Sequence, residues 1–77
     1  MTQTVEPTVV YLTPARYAVL RELLKDGAAN DTIARRLGIA HETVKSHLQT
    51  IGRLTGTSGR TELAVSVLRG RVVVREQ

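Results

Sequence analysis

The segment from Ile33 to Val44 constrains the fold of this 77-residue chain more than any other part of the sequence. A small residue, Ala34, is followed four residues later by Gly38. Alanine lets a second helix approach closely, and glycine adopts the left-handed backbone that a tight turn after a helix requires. The spacing therefore predicts two helices whose joint is filled by apolar side chains, namely Ile33, Leu37, Ile39 and Val44.

A joint of this kind holds its second helix away from the body of a domain. A helix held in this way can enter the major groove of DNA, which is ~12 Å wide. An ordinary hairpin of a helical bundle carries the same pattern and remains the alternative. The joint by itself favours a helix-turn-helix reader of DNA.

Apolar residues at helical spacing predict a compact all-α fold of four helices. Thr13 before Pro14 is a good helix start, and Asn30 is expected to cap the second helix. The predicted helices cover residues 14–26, 31–37, 40–54 and 60–69.

Outside these helices, residues 1–11 are expected to form a flexible or extended arm, and residues 12–70 form the domain. Residues 71–77 form a tail whose β-branched residues suit a short strand, but the tail is too short and isolated for a stable one.

Length and composition exclude several classes of protein. The chain has no cysteine, so it has neither a disulfide framework nor a cysteine-ligated metal site. Its longest apolar runs are four residues or fewer, whereas a membrane-spanning helix needs about 20. No apolar leader opens the sequence, and we expect a cytoplasmic protein, bacterial or phage-encoded and associated with the nucleoid. Only Tyr11 and Tyr17 are aromatic, which argues against a fold that stacks bases on aromatic side chains.

The positive charge is concentrated in the middle of the chain. Residues 1–31 carry three basic and four acidic side chains, residues 32–61 carry five basic and one acidic, and residues 62–77 carry three basic and two acidic. This uneven distribution of a net charge of +4 favours a polyanionic partner. A solvated positive surface is the simpler interpretation.

The predicted third helix separates into an apolar and a polar face. At 100° per residue, the buried side is formed by Val44, Leu48 and Ile51. The outward side carries Lys45, Ser46, Gln49 and Arg53, together with Glu42. Lysine can donate to guanine and glutamine can bond adenine with two hydrogen bonds, whereas an arginine near the helix end suits a phosphate.

The sequence resembles the LuxR-type (GerE-type) DNA-binding domain, an output module of bacterial regulators, from residue 12 to about residue 68. Its most specific matches are Ile33-Ala34-Arg35-Arg36-Leu37-Gly38-Ile39, Thr43-Val44-Lys45-Ser46-His47-Leu48 and Arg60-Thr61-Glu62-Leu63-Ala64. The resemblance implies that the third helix enters the major groove and the fourth serves dimerisation. It also implies base contacts from Lys45, Ser46 and Gln49, and phosphate contacts from Asn30 and Thr43.

The chain departs from the pattern of that family at several positions. Arg16 replaces a glutamate and would lie among apolar residues, where it needs a carboxylate or a route to solvent. Asp31 adds a negative charge that repels phosphate, and Ala40 replaces a serine cap at a cost of about 1 kcal/mol. Gly52 replaces a bulky residue, and Leu54-Thr55 replaces Lys-Leu.

The predicted fourth helix has a wider apolar arc than one core contact needs. Val65 and Leu68 form the surplus and would be exposed unless covered. We expect a twofold homodimer through these two residues, which would place two reading helices about 34 Å apart on an inverted repeat. The alternative is that the valine-rich tail folds back over them.

No arrangement of catalytic residues is visible, so the sequence does not predict an enzyme, a cofactor or a metal site. His47 is expected to pack or cap, and His41 to face solvent or a phosphate. The favoured function is a DNA-binding transcriptional regulator, either a stand-alone protein or the tail of a longer one. The alternatives are a protein-interaction module without a DNA site and a sigma-factor-like promoter domain that needs RNA polymerase as its partner.

Overall fold

The computed structural model describes residues 6–77. Four helices and two short strands follow one another along the chain. Their bounds are β1 Thr8–Leu12, α1 Pro14–Asp26, α2 Asn30–Leu37, α3 His41–Thr55, α4 Arg60–Leu68 and β2 Val72–Glu76. The four predicted helices are confirmed, with ends that differ from the predicted ones by one residue at most.

Helix starts are capped less completely than the sequence predicted. At α1 the Thr13 hydroxyl accepts a hydrogen bond from the Arg16 backbone N–H at 3.4 Å, as expected for an N-cap. The prediction that Asn30 caps α2 is wrong, because the cap is Ala29 and Asn30 is the first helical residue. Its side chain is thereby free to bond elsewhere. Ala40 caps α3 and offers no side-chain acceptor.

The C-terminal tail is not an isolated segment, because it pairs with the segment before α1. β1 and β2 run parallel, with Thr8 opposite Val72 and Leu12 opposite Glu76. The expectation that the tail was too isolated for a stable strand is therefore wrong. The partner strand lies some 60 residues earlier in the chain, beyond the reach of any local pattern. Small ribbons of this kind need a packed face, and here Val10 and Val72 provide it.

The core is a single apolar cluster to which every helix and both strands contribute. Its members are Val10, Leu12, Val19, Leu20, Leu23, Ile33, Ala34, Val44, Ile51, Leu63 and Val72. Arg16 lies half-buried at the margin of α1 and forms no ion pair with a described carboxylate. Its Nε has no hydrogen-bond partner among residues 6–77. In the same range no helix is both long enough and apolar enough to cross a membrane.

The α2–α3 joint has the geometry that the spacing predicted. Gly38 adopts a left-handed backbone with φ of 67°. The Ile39 N–H donates to the Ala34 carbonyl at 3.0 Å, which is the closing bond of a Schellman motif. Ile33 and Val44 are fully buried beneath the turn. The joint thus places α3 at a defined angle to α2.

Candidate nucleic-acid interface

One side of α3 is buried in the core and the opposite side faces solvent. Val44 and Ile51 are fully buried and Leu48 is half-buried. The polar residues predicted for the outward face are all exposed: Lys45, Ser46, Gln49 and Arg53. Within residues 6–77, nothing covers the α3 surface that the sequence assigned to DNA. His47 is half-buried and His41 is exposed.

A groove of about 650 Å³ runs between the outward face of α3 and the start of α4. One wall carries Lys45, Gln49 and Arg53, and the other carries Ser58 and Arg60. Of the six residues predicted to contact DNA, five line this groove, namely Asn30, Lys45, Ser46, Gln49 and Arg53. Thr43 does not line it and lies half-buried in the first turn of α3. The fold thus gathers most of the predicted contact residues into one concave surface.

Arg60 joins the groove to the start of α2. Its Nη1 donates to the Asn30 side-chain oxygen at 2.7 Å, and its Nη2 donates to the Ala28 carbonyl. With its oxygen occupied in this way, the Asn30 carboxamide presents its NH₂ group as the remaining donor. Arg60 therefore fixes the orientation of Asn30, which is predicted to contact a DNA phosphate.

Arg60 matches the family pattern, but the sequence did not predict it as a site residue. The sequence did indicate that Arg60 has a special role, because it is the first residue of the predicted fourth helix and a cation there opposes the helix dipole. Such a residue is expected to have a tertiary partner that compensates for this cost. The partners, Asn30 and Ala28, lie 30 and 32 residues away.

The basic residues of the central segment divide into two groups with different tasks. Arg36 binds Asp26 at 2.8 Å and Glu22 at 3.3 Å, and so ties α2 to α1. The hydrogen bond and charge of Arg36 lower the pKa of Asp26. Arg35 lies 3.9 Å from Asp31, so the negative charge of Asp31 is partly balanced.

Two of the three basic residues on the groove, in contrast, remain available to a polyanion. Neither Lys45 nor Arg53 forms an ion pair with a carboxylate of residues 6–77. Arg53 donates to the Thr50 hydroxyl at 3.2 Å, a neutral contact that leaves its charge uncompensated. The net positive charge of the chain is thus not a measure of the charge that faces the groove. The charge available to a polyanion there is carried by Lys45 and Arg53.

Gly52 shapes the end of the groove. A Cβ at this position would lie 3.2 Å from the Thr57 carbonyl oxygen, which is a tight contact. The loop after α3 therefore packs directly on the helix backbone. Thr55 supports the loop, because its hydroxyl bonds the Ile51 carbonyl at 2.8 Å and the Thr57 hydroxyl at 3.0 Å. Gly52 and Thr55, which both depart from the family pattern, therefore contact the same loop residue, Thr57.

The outer face of α4 remains uncovered within the described chain. Leu68 is 72% exposed and Val65 is 37% exposed. The C-terminal valines do not fold over them, since Val72 is buried in the core and β2 pairs with β1. The alternative of a covering tail is therefore wrong. Below this face a shallow hollow of about 200 Å³ separates α4 from α1.

Comparison with known proteins identifies the family of this fold. Residues 10–67 match the family model described as bacterial regulatory proteins, luxR family. The match includes α1, α2 and α3 and all but the last residue of α4, and it ends before β2. No match was found among curated proteins. The chain therefore belongs to the luxR family of bacterial regulatory proteins and carries the DNA-binding helix-turn-helix domain of a transcription regulator.

Proposed function

We propose that this chain binds double-stranded DNA sequence-specifically, as a homodimer on an inverted repeat, with α3 in the major groove. Lys45, Ser46 and Gln49 contact base edges. Asn30, Thr43 and Arg53 contact phosphates. The observation that carries this proposal is the groove between α3 and α4, in which five of these six side chains converge on one exposed surface.

The chemistry of the groove suits base recognition at its centre and backbone contact at its ends. Lysine donates to guanine O6 and N7, and glutamine pairs with adenine N6 and N7, each worth ~1–3 kcal/mol of discrimination. Asn30 lies at the start of α2, where backbone N–H groups and the helix dipole also favour an anion. Arg53, in the last turn of α3, supplies charge without sequence preference.

Dimerisation through α4 accounts for the exposure of Leu68 and Val65. Two apolar residues spaced three apart on a short helix form a self-complementary stripe when a twofold axis relates two copies. A twofold axis near α4 would present two copies of α3 to the same face of DNA, with half-sites ~34 Å apart.

The experiment is a binding titration on random and selected duplexes at several salt concentrations. We expect log affinity to fall against log salt with a slope of about −0.9 for each phosphate contacted. Lys45→Ala combined with Gln49→Ala should remove the preference for one sequence and leave weak non-specific binding. Lys25→Ala is the matched control, because it removes an exposed lysine from α1, away from the groove.

The same titration separates the alternatives. A chain with no duplex affinity and no salt dependence would be a protein-interaction module, to which the exposed Glu42 at the start of α3 would be suited. Affinity that appears only with RNA polymerase present would support a promoter-recognition domain. Sedimentation of Val65→Glu and Leu68→Glu tests the α4 interface, since both should give monomers at concentrations at which the unmodified chain is a dimer. A persistent dimer would place its interface elsewhere.

A further inference from the structure

The two-stranded sheet uses only one side of β1. The Thr8 N–H donates to the Arg71 carbonyl at 3.0 Å, and the Leu12 carbonyl accepts from the Gln77 N–H at 2.8 Å. These two bonds lie at the ends of the parallel ladder, so the even-numbered residues of β1 are the ones whose backbone N–H and C=O groups face β2. Successive residues of a strand direct their backbone groups to opposite edges. The odd-numbered residues of β1 therefore direct theirs away from β2.

The residues that face this open edge also expose their side chains. Val9 is 48% exposed and Tyr11 is 58% exposed, whereas the neighbouring Val10 and Leu12 are buried in the core. The sheet consists of two strands, and no third strand of residues 6–77 pairs with β1. The side chains of Val9 and Tyr11 thus lie on the outer face of the sheet, next to backbone groups that pair with no strand of residues 6–77.

Natural sheets protect such edges with charges, prolines or bulges. β2 follows this rule, since it carries Arg75 and Glu76. β1 does not, because residues 7–15 contain no charged side chain and Pro7 precedes the strand rather than interrupting it. In a chain of net charge +4, this is a stretch at which two copies can meet without repulsion.

We propose that the open edge of β1 pairs antiparallel with the same edge of a second copy, about a twofold axis at Val10. The two sheets then join into one sheet of order β2-β1-β1-β2. In this register Val9 of each copy opposes Tyr11 of the other, and each pair exchanges two hydrogen bonds. A shift of two residues would bring in either Pro7, which lacks an N–H, or Thr13, the N-cap of α1.

Side chains and charges favour the same register. Pairs of an aromatic and a β-branched residue opposite one another stabilise antiparallel sheets, and the twofold axis produces the pair twice. The nearest charged residues along the chain are Glu6 before β1 and Arg16 after it. Antiparallel pairing directs the Glu6 end of each strand toward the Arg16 end of the other, so the flanking charges are opposite in sign.

This interface is separate from the one proposed on α4 and goes beyond the proposed function. α4 packs against β2, and the open edge of β1 lies on the side away from β2. Two different twofold interfaces on one chain join dimers into larger assemblies. The occupant of the β1 edge is thus a second copy of this chain, and DNA-binding dimers are linked through it.

Sedimentation of the full chain tests the proposal with the α4 face disabled by Leu68→Glu. We expect this variant to be a monomer at the concentrations at which the unmodified chain dimerises through α4, and to form a dimer through β1 at higher concentrations. Val9→Lys in the same background should weaken that dimer about tenfold or more, because both Val9–Tyr11 pairs are lost. Val9→Thr is the matched control, since it keeps a neutral β-branched side chain and should keep the dimer. Monomers at every concentration, or equal dimerisation with lysine and valine at position 9, would overturn the proposal.

Amide hydrogen exchange on the unmodified chain gives an independent readout. Exchange at the Val9 and Tyr11 N–H groups should slow as protein concentration rises, because these groups become bonded only in the assembly. The Val10 N–H faces β2 and should be protected at all concentrations. Exchange at Val9 and Tyr11 that does not depend on concentration would overturn self-pairing.

Discussion

The α2–α3 and α3–α4 joints use the same backbone turn and differ in what packs beneath it. Each turn has a glycine with a left-handed backbone, Gly38 at φ 67° and Gly56 at φ 70°. In each, the N–H of the following residue bonds a carbonyl five residues earlier at 3.0 Å. Beneath the first turn lie the fully buried Ile33 and Val44. Beneath the second lies the Thr55 hydroxyl, bonded to a carbonyl and to another hydroxyl.

This difference shows how one local motif serves two purposes. Apolar packing is non-directional and depends on volume, so the first joint orients a whole helix by filling a wedge. Hydrogen bonds are directional, so the second joint fixes the path of a loop that forms one wall of the groove. Arg36, near the end of α2, binds carboxylates of α1, whereas Arg60, at the start of α4, binds an amide and a carbonyl.

The largest expected effect comes from emptying the first joint. Ile33→Ala should lower the free energy of unfolding by about 2–5 kcal/mol, because a fully buried side chain leaves a cavity. Thr55→Val, which removes only the hydroxyl of the second joint, should cost about 1 kcal/mol. Urea denaturation measures both. Equal costs would contradict the contrast between apolar and polar joints.

Substituting the turn glycines tests whether the two backbones are equivalent. Gly38→Ala and Gly56→Ala should each cost about 1–2 kcal/mol, because alanine is strained in a left-handed conformation. A Cβ meets nothing within 4 Å at either position, so strain is the whole effect and the two costs should agree. A much larger loss at one glycine, measured by thermal unfolding, would show that packing also acts there.

The α2–α3 joint lacks a side-chain cap at the start of α3, so a substitution there can raise the stability of the fold. Ala40 precedes α3 with an extended backbone and no side-chain acceptor. Ala40→Ser should raise the free energy of unfolding by about 1 kcal/mol by satisfying an N–H of the first turn. Ala40→Val, which adds volume without an acceptor, is the control and should not stabilise. An unchanged melting temperature for Ala40→Ser would mean that α3 begins elsewhere in solution.

The smallest expected effect is a pH dependence of stability, which should differ between variants of Arg36 and of Arg60. The pKa of Asp26 is lowered by Arg36 from its ordinary 3.8, so this ion pair stabilises the fold above that pH. Its contribution is lost as pH falls through the lowered pKa. The stability difference between the wild type and Arg36→Gln should therefore shrink in acid. The difference for Arg60→Gln should stay constant, since neither Asn30 nor the Ala28 carbonyl titrates.

Chemical denaturation at a series of pH values between 7 and the acid limit of folding measures both differences. An acid-sensitive loss at Arg60, or a constant one at Arg36, would contradict the assignment of their partners.

Local patterns predicted the helices well because their signals lie within a few residues of each other. Thr13, Gly27 and Gly38 mark helix ends through interactions inside one turn. The exposed face of α3 followed from its 3.6-residue period, since the buried Val44 and Ile51 leave Lys45 and Gln49 outside. The α4 stripe was found by the same reasoning. The roles of these side chains toward DNA and a second copy stay predictions.

Contacts between distant parts of the chain were missed or misjudged. Asn30 was assigned to a helix cap, yet its oxygen binds Arg60 at the start of another helix. Arg36 was counted toward the polyanion-facing charge, yet it serves the packing of α1 on α2. The partners of Arg36 lie 10 and 14 residues away and that of Asn30 lies 30 residues away, beyond the range of a local pattern.

The sequence by itself determined the four helices, the glycine elbow at Gly38 and which side of α3 faces outward, because short-range periodicity and backbone preference decide these features. Only the tertiary structure decided that β1 and β2 form a sheet, that Arg60 holds Asn30, and that α3 and α4 enclose a groove. Those features depend on residues far apart in sequence, and a strand edge or a groove exists only once several elements have packed together.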